Sequence, residues 1–181
     1  MTNFYYSYYL NIVKHDLIHK FNYPNIFNIP SIVKLVLSFE YKKPTTKKIL
    51  SSLLALNLIG SGAKGYIITT KKSNISLKLR AGNPVGCKIT LRKLKMFDFL
   101  SKFFLIILPQ DKILNKITKK NIGLSNLSLK FKTLFLFSEF EQNYLLFKDL
   151  SNLTFVLVTN SKNFLEFLFL LKVLKFKFFN N

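Results

Sequence analysis

The period of the hydrophobic positions changes several times along the chain. Leu10, Val13, Leu17 and Phe21 recur at helical spacing and predict an N-terminal helix. Pro24 and Pro30 then break the chain. From Ile32 to Phe39 the period falls to two, with Val33, Leu35, Leu37 and Phe39 on one face and Lys34 and Ser38 on the other. Thr45 or Thr46 can cap a helix that runs to Ile59 and stops at Gly60. Tyr66 to Thr70 is β-rich, and Val85 to Arg92 alternates again. A helix is expected from Leu94 to Leu108, stopped by Pro109. From Leu127 to Phe137, Leu127, Leu129 and Phe131 oppose Ser128, Lys130 and Lys132. Leu153 to Thr159 is a further strand, and Asn163 to Leu174 a last helix.

Short strands mixed with helices on a half-polar sheet argue an α+β fold. One sheet face would carry the helices and the other would be free. The length suits one domain over residues 1–181, with apolar content ample for a core. No repeat or dividing linker is visible. One connection needs a reason of its own. Lys71 to Gly86 is far longer than the two to five residues of a tight hairpin turn.

Charge narrows the possible partners. Twenty-eight Lys and Arg stand against eight Asp and Glu, a formal charge of +20 on 181 residues. Such an excess repels itself in a compact fold, and a polyanion would neutralise it through counterion release. Nearly all of it is lysine; the only arginines are Arg80 and Arg92. Lysine tracks phosphates as a point charge, so the surface suits backbone binding more than base reading. Asn, Ile, Phe, Leu and Tyr are also abundant. These residues have AT-rich codons, which points to gene base composition as one source of the bias.

A membrane is the competing polyanion. The strongest apolar runs, Phe103 to Leu108 and Phe164 to Leu171, fall far short of the ~20 residues that span a bilayer. Both are expected as buried helices. The alternative to RNA binding is therefore a basic peripheral membrane-surface protein without a span. The N-terminus, MTNFYYSYYLNIVKHDL, has neither a signal-type core nor transit-peptide arginines.

The free side of the Val85 to Arg92 strand carries Lys88, Thr90 and Arg92. An amine, a hydroxyl and a guanidinium in a row suit phosphates and base edges. Other motifs are weaker. Gly60-Ser-Gly62-Ala-Lys-Gly65 matches G-x-G-x-x-G, but that fingerprint works between a strand and a following helix. Here the predicted order is reversed, so a helix-stopping turn is expected. His15 and His19 share a helix face, but no third metal ligand is evident. Cys87, the single cysteine, falls on the apolar face of its strand and is expected as buried packing. No carboxylate pair or nucleophile constellation suggests an enzyme, and no cofactor is implied.

One longer pattern remains. Lys71-Lys72-Ser73, Lys78-Leu79-Arg80, Gly82, Pro84 to Arg92 and Met96 resemble the signature of large-subunit ribosomal protein five. Phe21-Asn22-Tyr23, Ile29-Pro30 and the strand to Leu37 are similar to that family's N-terminal part. Pro109, Phe137-Ser138-Glu139, Leu153 to Thr159 and Phe176-Lys177-Phe178 match its C-terminal half in order and spacing. The resemblance covers nearly the whole chain.

The resemblance implies an antiparallel sheet with helices on one side and the other face on rRNA in the central protuberance. It implies a long inter-strand loop reaching peptidyl-site tRNA, and a bridge to small-subunit protein thirteen. Thr90 matches a threonine that contacts 5S rRNA in the family, and Ser38 stands where an asparagine contact is usual. With the strand-face reading, the expected rRNA-binding set is Lys34, Ser38, Lys64, Lys88, Thr90 and Arg92. The expected tRNA-facing set is Lys71, Lys72, Ser73, Ser76, Lys78 and Arg80. Ala63 replaces a family glutamine and Gly65 a proline. The family's Arg-Asp-Phe-Arg-Gly and Phe-Asp-Gly-Arg-Gly-Asn elements give way to a Lys/Asn-rich stretch over Asp111 to Gly123. These departures point to 5S rRNA or a divergent replacement as the partner. An AT-biased composition with a bacterial-type motif points to a mitochondrial ribosome and an organelle-encoded protein.

Overall fold

The computed structural model describes residues 4–110, 121–131, 134 and 136–176. Five strands are present among them: β1 (Ile32–Glu40), β2 (Gly65–Thr69), β3 (Pro84–Leu91), β4 (Asn126–Phe131) and β5 (Leu153–Thr159). They form one open antiparallel sheet in the order β2-β3-β1-β5-β4. The helices are α1 (Phe4–Tyr8), α2 (Lys14–Lys20), α3 (Thr46–Ile59), α4 (Lys93–Lys102), α5 (Leu108–Gln110), α6 (Ser138–Glu141), α7 (Tyr144–Phe147) and α8 (Phe164–Val173). The expected α+β fold is therefore the observed one. The chain gathers into two compact units, one of Met1–Leu35, Arg92–Leu129 and Val156–Asn181, the other of Val36–Leu91 and Lys130–Phe155.

In the first unit, α1 and α2 are one helical run joined by a π-turn at Tyr9–Val13. Its buried stripe is Tyr5, Tyr9, Val13 and Leu17, whereas Leu10 and Phe21 are only half-buried. A strict four-residue spacing drifts around a 3.6-residue helix, and one wide turn returns it to the core side. Tyrosine carries the packing because its ring and its hydroxyl are both used. The Tyr5 ring stacks on Phe104 at 4.7 Å between centroids. The Tyr5 hydroxyl donates to the Leu174 carbonyl at 3.1 Å and that of Tyr8 to the Val173 carbonyl at 3.0 Å. Carbonyls at the end of α8 lack partners within the helix, and the N-terminal tyrosines supply them.

Pro109 does not end its helix. After α4 the chain passes through a π-turn at Phe103–Ile107 and continues as α5, with Pro109 inside it. A proline lacks the N–H and collides with the carbonyl four residues back in a regular turn. The wide turn just before it loosens that ladder. The run is also less buried than its composition suggests, since Leu105 and Ile106 are exposed. In α8, likewise, Leu165 is exposed while Phe167, Leu170 and Leu171 are buried.

In the second unit, α3 starts where Thr45 Oγ1 accepts from the Lys48 N–H at 3.4 Å and ends at Gly60. Ile49, Ala55, Leu56 and Ile59 are its buried side, and Cys87, Ile89 and Leu91 are the buried side of β3. A second cluster joins Phe131, Phe137, Phe140, Phe147 and Phe155, whose successive rings lie 5.0–6.3 Å apart. Two expectations need correction. The alternation from Leu127 to Phe137 is a strand only to Phe131, and Phe137 instead caps α6. The short helices α6 and α7 were legible in no periodic pattern. On β1, Val33 is 41 % exposed, although Leu35, Leu37 and Phe39 on the same side are fully buried. Lys132 and the polar stretch over residues 111–120 lie outside the described residues.

Candidate nucleic-acid interface

β3 is built as an alternating strand should be. Cys87, Ile89 and Leu91 are shut from solvent, while Lys88 is exposed and Thr90 half-exposed. Side chains directly opposite in an antiparallel pair share a face, so Tyr66, which pairs with Lys88, joins this row and is exposed. Gly86 allows β3 to approach β1 closely. A Cβ on Gly86 would collide with the carbonyl oxygen of Phe39. The polar side chains that flank Gly86 along β3 are therefore held on a strand that has little freedom to shift.

Arg92 is exposed and sits in extended backbone as the N-cap of α4, without a side-chain capping bond. Ser, Thr, Asp or Asn would satisfy that position better. Lys93 follows with φ +51°, a left-handed conformation that lysine rarely takes. The sequence thus gives up local stability where two cations reach solvent.

The other expected rRNA contacts differ in exposure. Lys64 is exposed in the turn between α3 and β2, and Lys34 is half-buried on β1. Ser38 is buried at 9 % exposure, so it offers little surface. Lys34 and Arg92 belong to the first unit, and Ser38, Lys64, Lys88 and Thr90 to the second. Tyr66 escaped the sequence reading because a strand pattern does not show which residue of another strand lies opposite.

The long connection is an ordered loop with a small hairpin inside it. Pro84, Val85 and Gly86 belong to β3, so the loop proper is shorter than the stretch Lys71 to Gly86. At its base the Thr70 N–H donates to the Asn83 carbonyl at 2.9 Å, and Thr70 Oγ1 donates to the Arg80 carbonyl at 2.6 Å. Gly82, at φ +86°, makes the return turn. At the tip, Asn74 and Leu79 exchange backbone hydrogen bonds of 2.8 and 3.0 Å. Asn74 Oδ1 accepts from Ser76 Oγ at 2.7 Å, which shapes the turn from within. Lys71, Lys72, Ser73, Ser76, Lys78 and Arg80 are all exposed. Ile75 is 94 % exposed at the tip, an apolar residue with no core to join.

Gly60 closes α3 and Gly65 opens β2, a helix-turn-strand order in which no helix N-terminus meets the glycines. Cys87 is buried, its thiol 3.5 Å from the Ile49 carbonyl, and burial raises its pKa. His15 and His19 are exposed on α2. No helix among the described residues is long and apolar enough to cross a membrane.

Residues 84–178 match the family model for the C-terminus of the ribosomal protein uL5 family. The chain is 34 % identical over 159 residues to the large ribosomal subunit protein uL5m of Reclinomonas americana, covering 86 % of this chain and 87 % of that one. It is 36 % identical over 160 residues to the uL5 protein of Buchnera aphidicola subsp. Cinara cedri, covering 87 % and 88 %. With the uL5 protein of Wigglesworthia glossinidia brevipalpis it shares 34 % over 175 residues, 96 % of this chain and 97 % of that one. The matched stretch takes in both halves of the chain, the β3 row and the long loop included, and the chain belongs to the uL5 family of large-subunit ribosomal proteins, whose members are structural rather than catalytic.

Proposed function

We propose that this protein is a structural constituent of the large ribosomal subunit that binds rRNA through the exposed row on β3. The carrying observation is that row: Lys88, Thr90 and Arg92 reach solvent from a strand whose other side is fully buried. Lysine and arginine neutralise phosphates there, and the hydroxyl can reach a base or a 2′-hydroxyl. Lys34, Ser38 and Lys64 complete the proposed set, with 5S rRNA or its replacement in the central protuberance as partner. The 71–86 connection, with its six exposed polar residues, is assigned to peptidyl-site tRNA. Small-subunit protein thirteen is the proposed neighbour across the subunit boundary, and the whole chain acts as one ribosomal-protein domain. The location is a mitochondrial ribosome, a reading supported by the AT-biased composition and by similarity to a mitochondrial relative.

The test is a filter-binding titration against large-subunit rRNA. If roughly 6–10 phosphates are neutralised, affinity falls about 10³–10⁵-fold between 50 and 200 mM salt. A flat salt response would count against RNA binding. Sedimentation of organelle extract then locates the protein. RNase-sensitive co-migration with the large subunit supports the reading, and co-migration with lipid opposes it.

A further inference from the structure

The second unit holds a cleft of about 750 Å³ that none of the proposed rRNA-contacting residues lines. Lys42 and Lys43, from the connection between β1 and α3, stand on its wall with Lys48 of α3 and Lys130 of β4. One carboxylate, Glu40, joins them, so the cleft carries a net charge of three cations. Leu77 and Leu79, from the small hairpin of the long loop, give it an apolar side. Lys42, Lys43 and Lys130 are all exposed, which leaves the cleft open to a chain that enters and leaves. Tyr41 and Ser151 line it as well, and their hydroxyls are buried without a partner in hydrogen-bonding geometry. Buried polar groups without partners are uncommon in native proteins and call for a partner or a role.

Clustered ammonium groups beside an apolar wall match the two halves of a nucleotide. Phosphates take the point charges, and an unstacked base lies against the apolar side. The volume is within the ~300–1,000 Å³ typical of small-ligand sites, large enough for one nucleotide. Openness on the lysine side favours a polymer over a free mononucleotide.

We infer that this cleft receives one unstacked nucleotide of a single-stranded RNA segment, with its flanking phosphates on Lys42, Lys43 and Lys130 and its base against Leu77 and Leu79. The inference rests on the reading of the protein as an RNA binder and adds a contact apart from the β3 row. It also gives the hairpin of the long loop a role in forming the apolar wall of the site.

The experiment measures fluorescence anisotropy of two labelled probes, a ten-nucleotide uridine oligomer and a double-stranded RNA. The full-length protein is compared with a variant carrying Lys42→Gln, Lys43→Gln and Lys130→Gln. A charge-matched control carries Lys14→Gln, Lys20→Gln and Lys172→Gln. Glutamine keeps much of each side-chain stem, so the fold is retained, which thermal melting followed by circular dichroism verifies. The cleft variant is expected to lose about tenfold on the oligomer. Its slope of log affinity against log salt should fall by about 2, as three lost contacts at roughly 0.7 each require for single strands. Duplex binding should change less than about threefold, and the control should match the parent protein on both probes. Equal losses in the cleft and control variants, or an unchanged oligomer affinity, overturn the cleft assignment and leave the RNA-binding reading standing. Failure of the parent protein to bind either probe overturns both.

Discussion

Gly86 shows how a single atom constrains a surface. The residue lies in the middle of β3, where a glycine ordinarily weakens a strand. Here any side chain would strike the Phe39 carbonyl, so the strands can pack closely only with glycine. Gly86→Ala should cost about 2–3 kcal/mol, the scale of a forced backbone shift in a packed region. Urea denaturation reads this as a lower midpoint at unchanged slope; a cost within about 0.5 kcal/mol would mean that β1 and β3 part easily. Arg92 carries a second residue-scale prediction. It is placed by the end of a packed strand, whereas a lysine in the polar stretch from Gln110 to Asn126 must be ordered on binding. Arg92→Ala should therefore weaken rRNA binding more than Lys112→Ala. Equal losses in filter binding would mean that the strand face is not the central contact.

At the scale of elements, the long connection separates folding from function. Its base is closed by the bonds of Thr70 to Arg80 and Asn83, and its tip by the Asn74 to Leu79 pairing. Removing Asn74 to Leu79 takes away the inner hairpin and leaves the base bonds in place. Loops outside the core tolerate such changes at little cost. Folding and rRNA binding should therefore survive, and retention of peptidyl-site tRNA should suffer. A ribosome carrying the deletion tests this by measuring subunit incorporation and tRNA occupancy separately. Poor incorporation, with normal tRNA occupancy in the few ribosomes that assemble, would sink the assignment of the loop to tRNA.

For the whole molecule, the tyrosines make stability depend on alkaline pH. Burial pushes the Tyr9 phenol from 10.0 up to about 12, and burial, with the neighbouring Tyr8, raises that of Tyr5 further. Below pH 10 the phenols are protonated in both states and their contribution is complete. Between pH 10 and about 12 the unfolded chain releases the Tyr9 proton and the folded chain keeps it. The unfolded state then binds fewer protons, so stability falls as pH rises. Lysines lose charge over the same range, and Tyr9→Phe isolates the phenol. That variant should lose about 1 kcal/mol at neutral pH, because the bond from Tyr9 to the Pro30 carbonyl is gone. From pH 10 to 12 its further loss should be smaller than that of the parent protein. Denaturation midpoints across the range provide the check, and parallel curves would contradict the role of Tyr9.

The sequence by itself determined what depends on neighbours along the chain. Period-two alternation located β1, β3 and β5 to within a residue or two, and showed which side of β3 is apolar. Thr45 and Gly60 marked the ends of α3, because capping is a matter of a few consecutive residues. The run of residues around Pro84 to Arg92 carried the family. Tertiary structure alone decided what depends on distant partners. Leu10 has helical spacing, yet Tyr5 and Tyr9 take the buried stripe because a π-turn turns them toward Phe104, Leu174 and Pro30. Pro109 reads as a stop, yet the preceding wide turn accommodates it. Val33 alternates with the core residues of β1, yet solvent reaches it. The basic cleft draws on segments from Glu40 to Thr154, so no local pattern could announce it. Periodicity records the face a residue presents, and only packing determines whether anything covers that face.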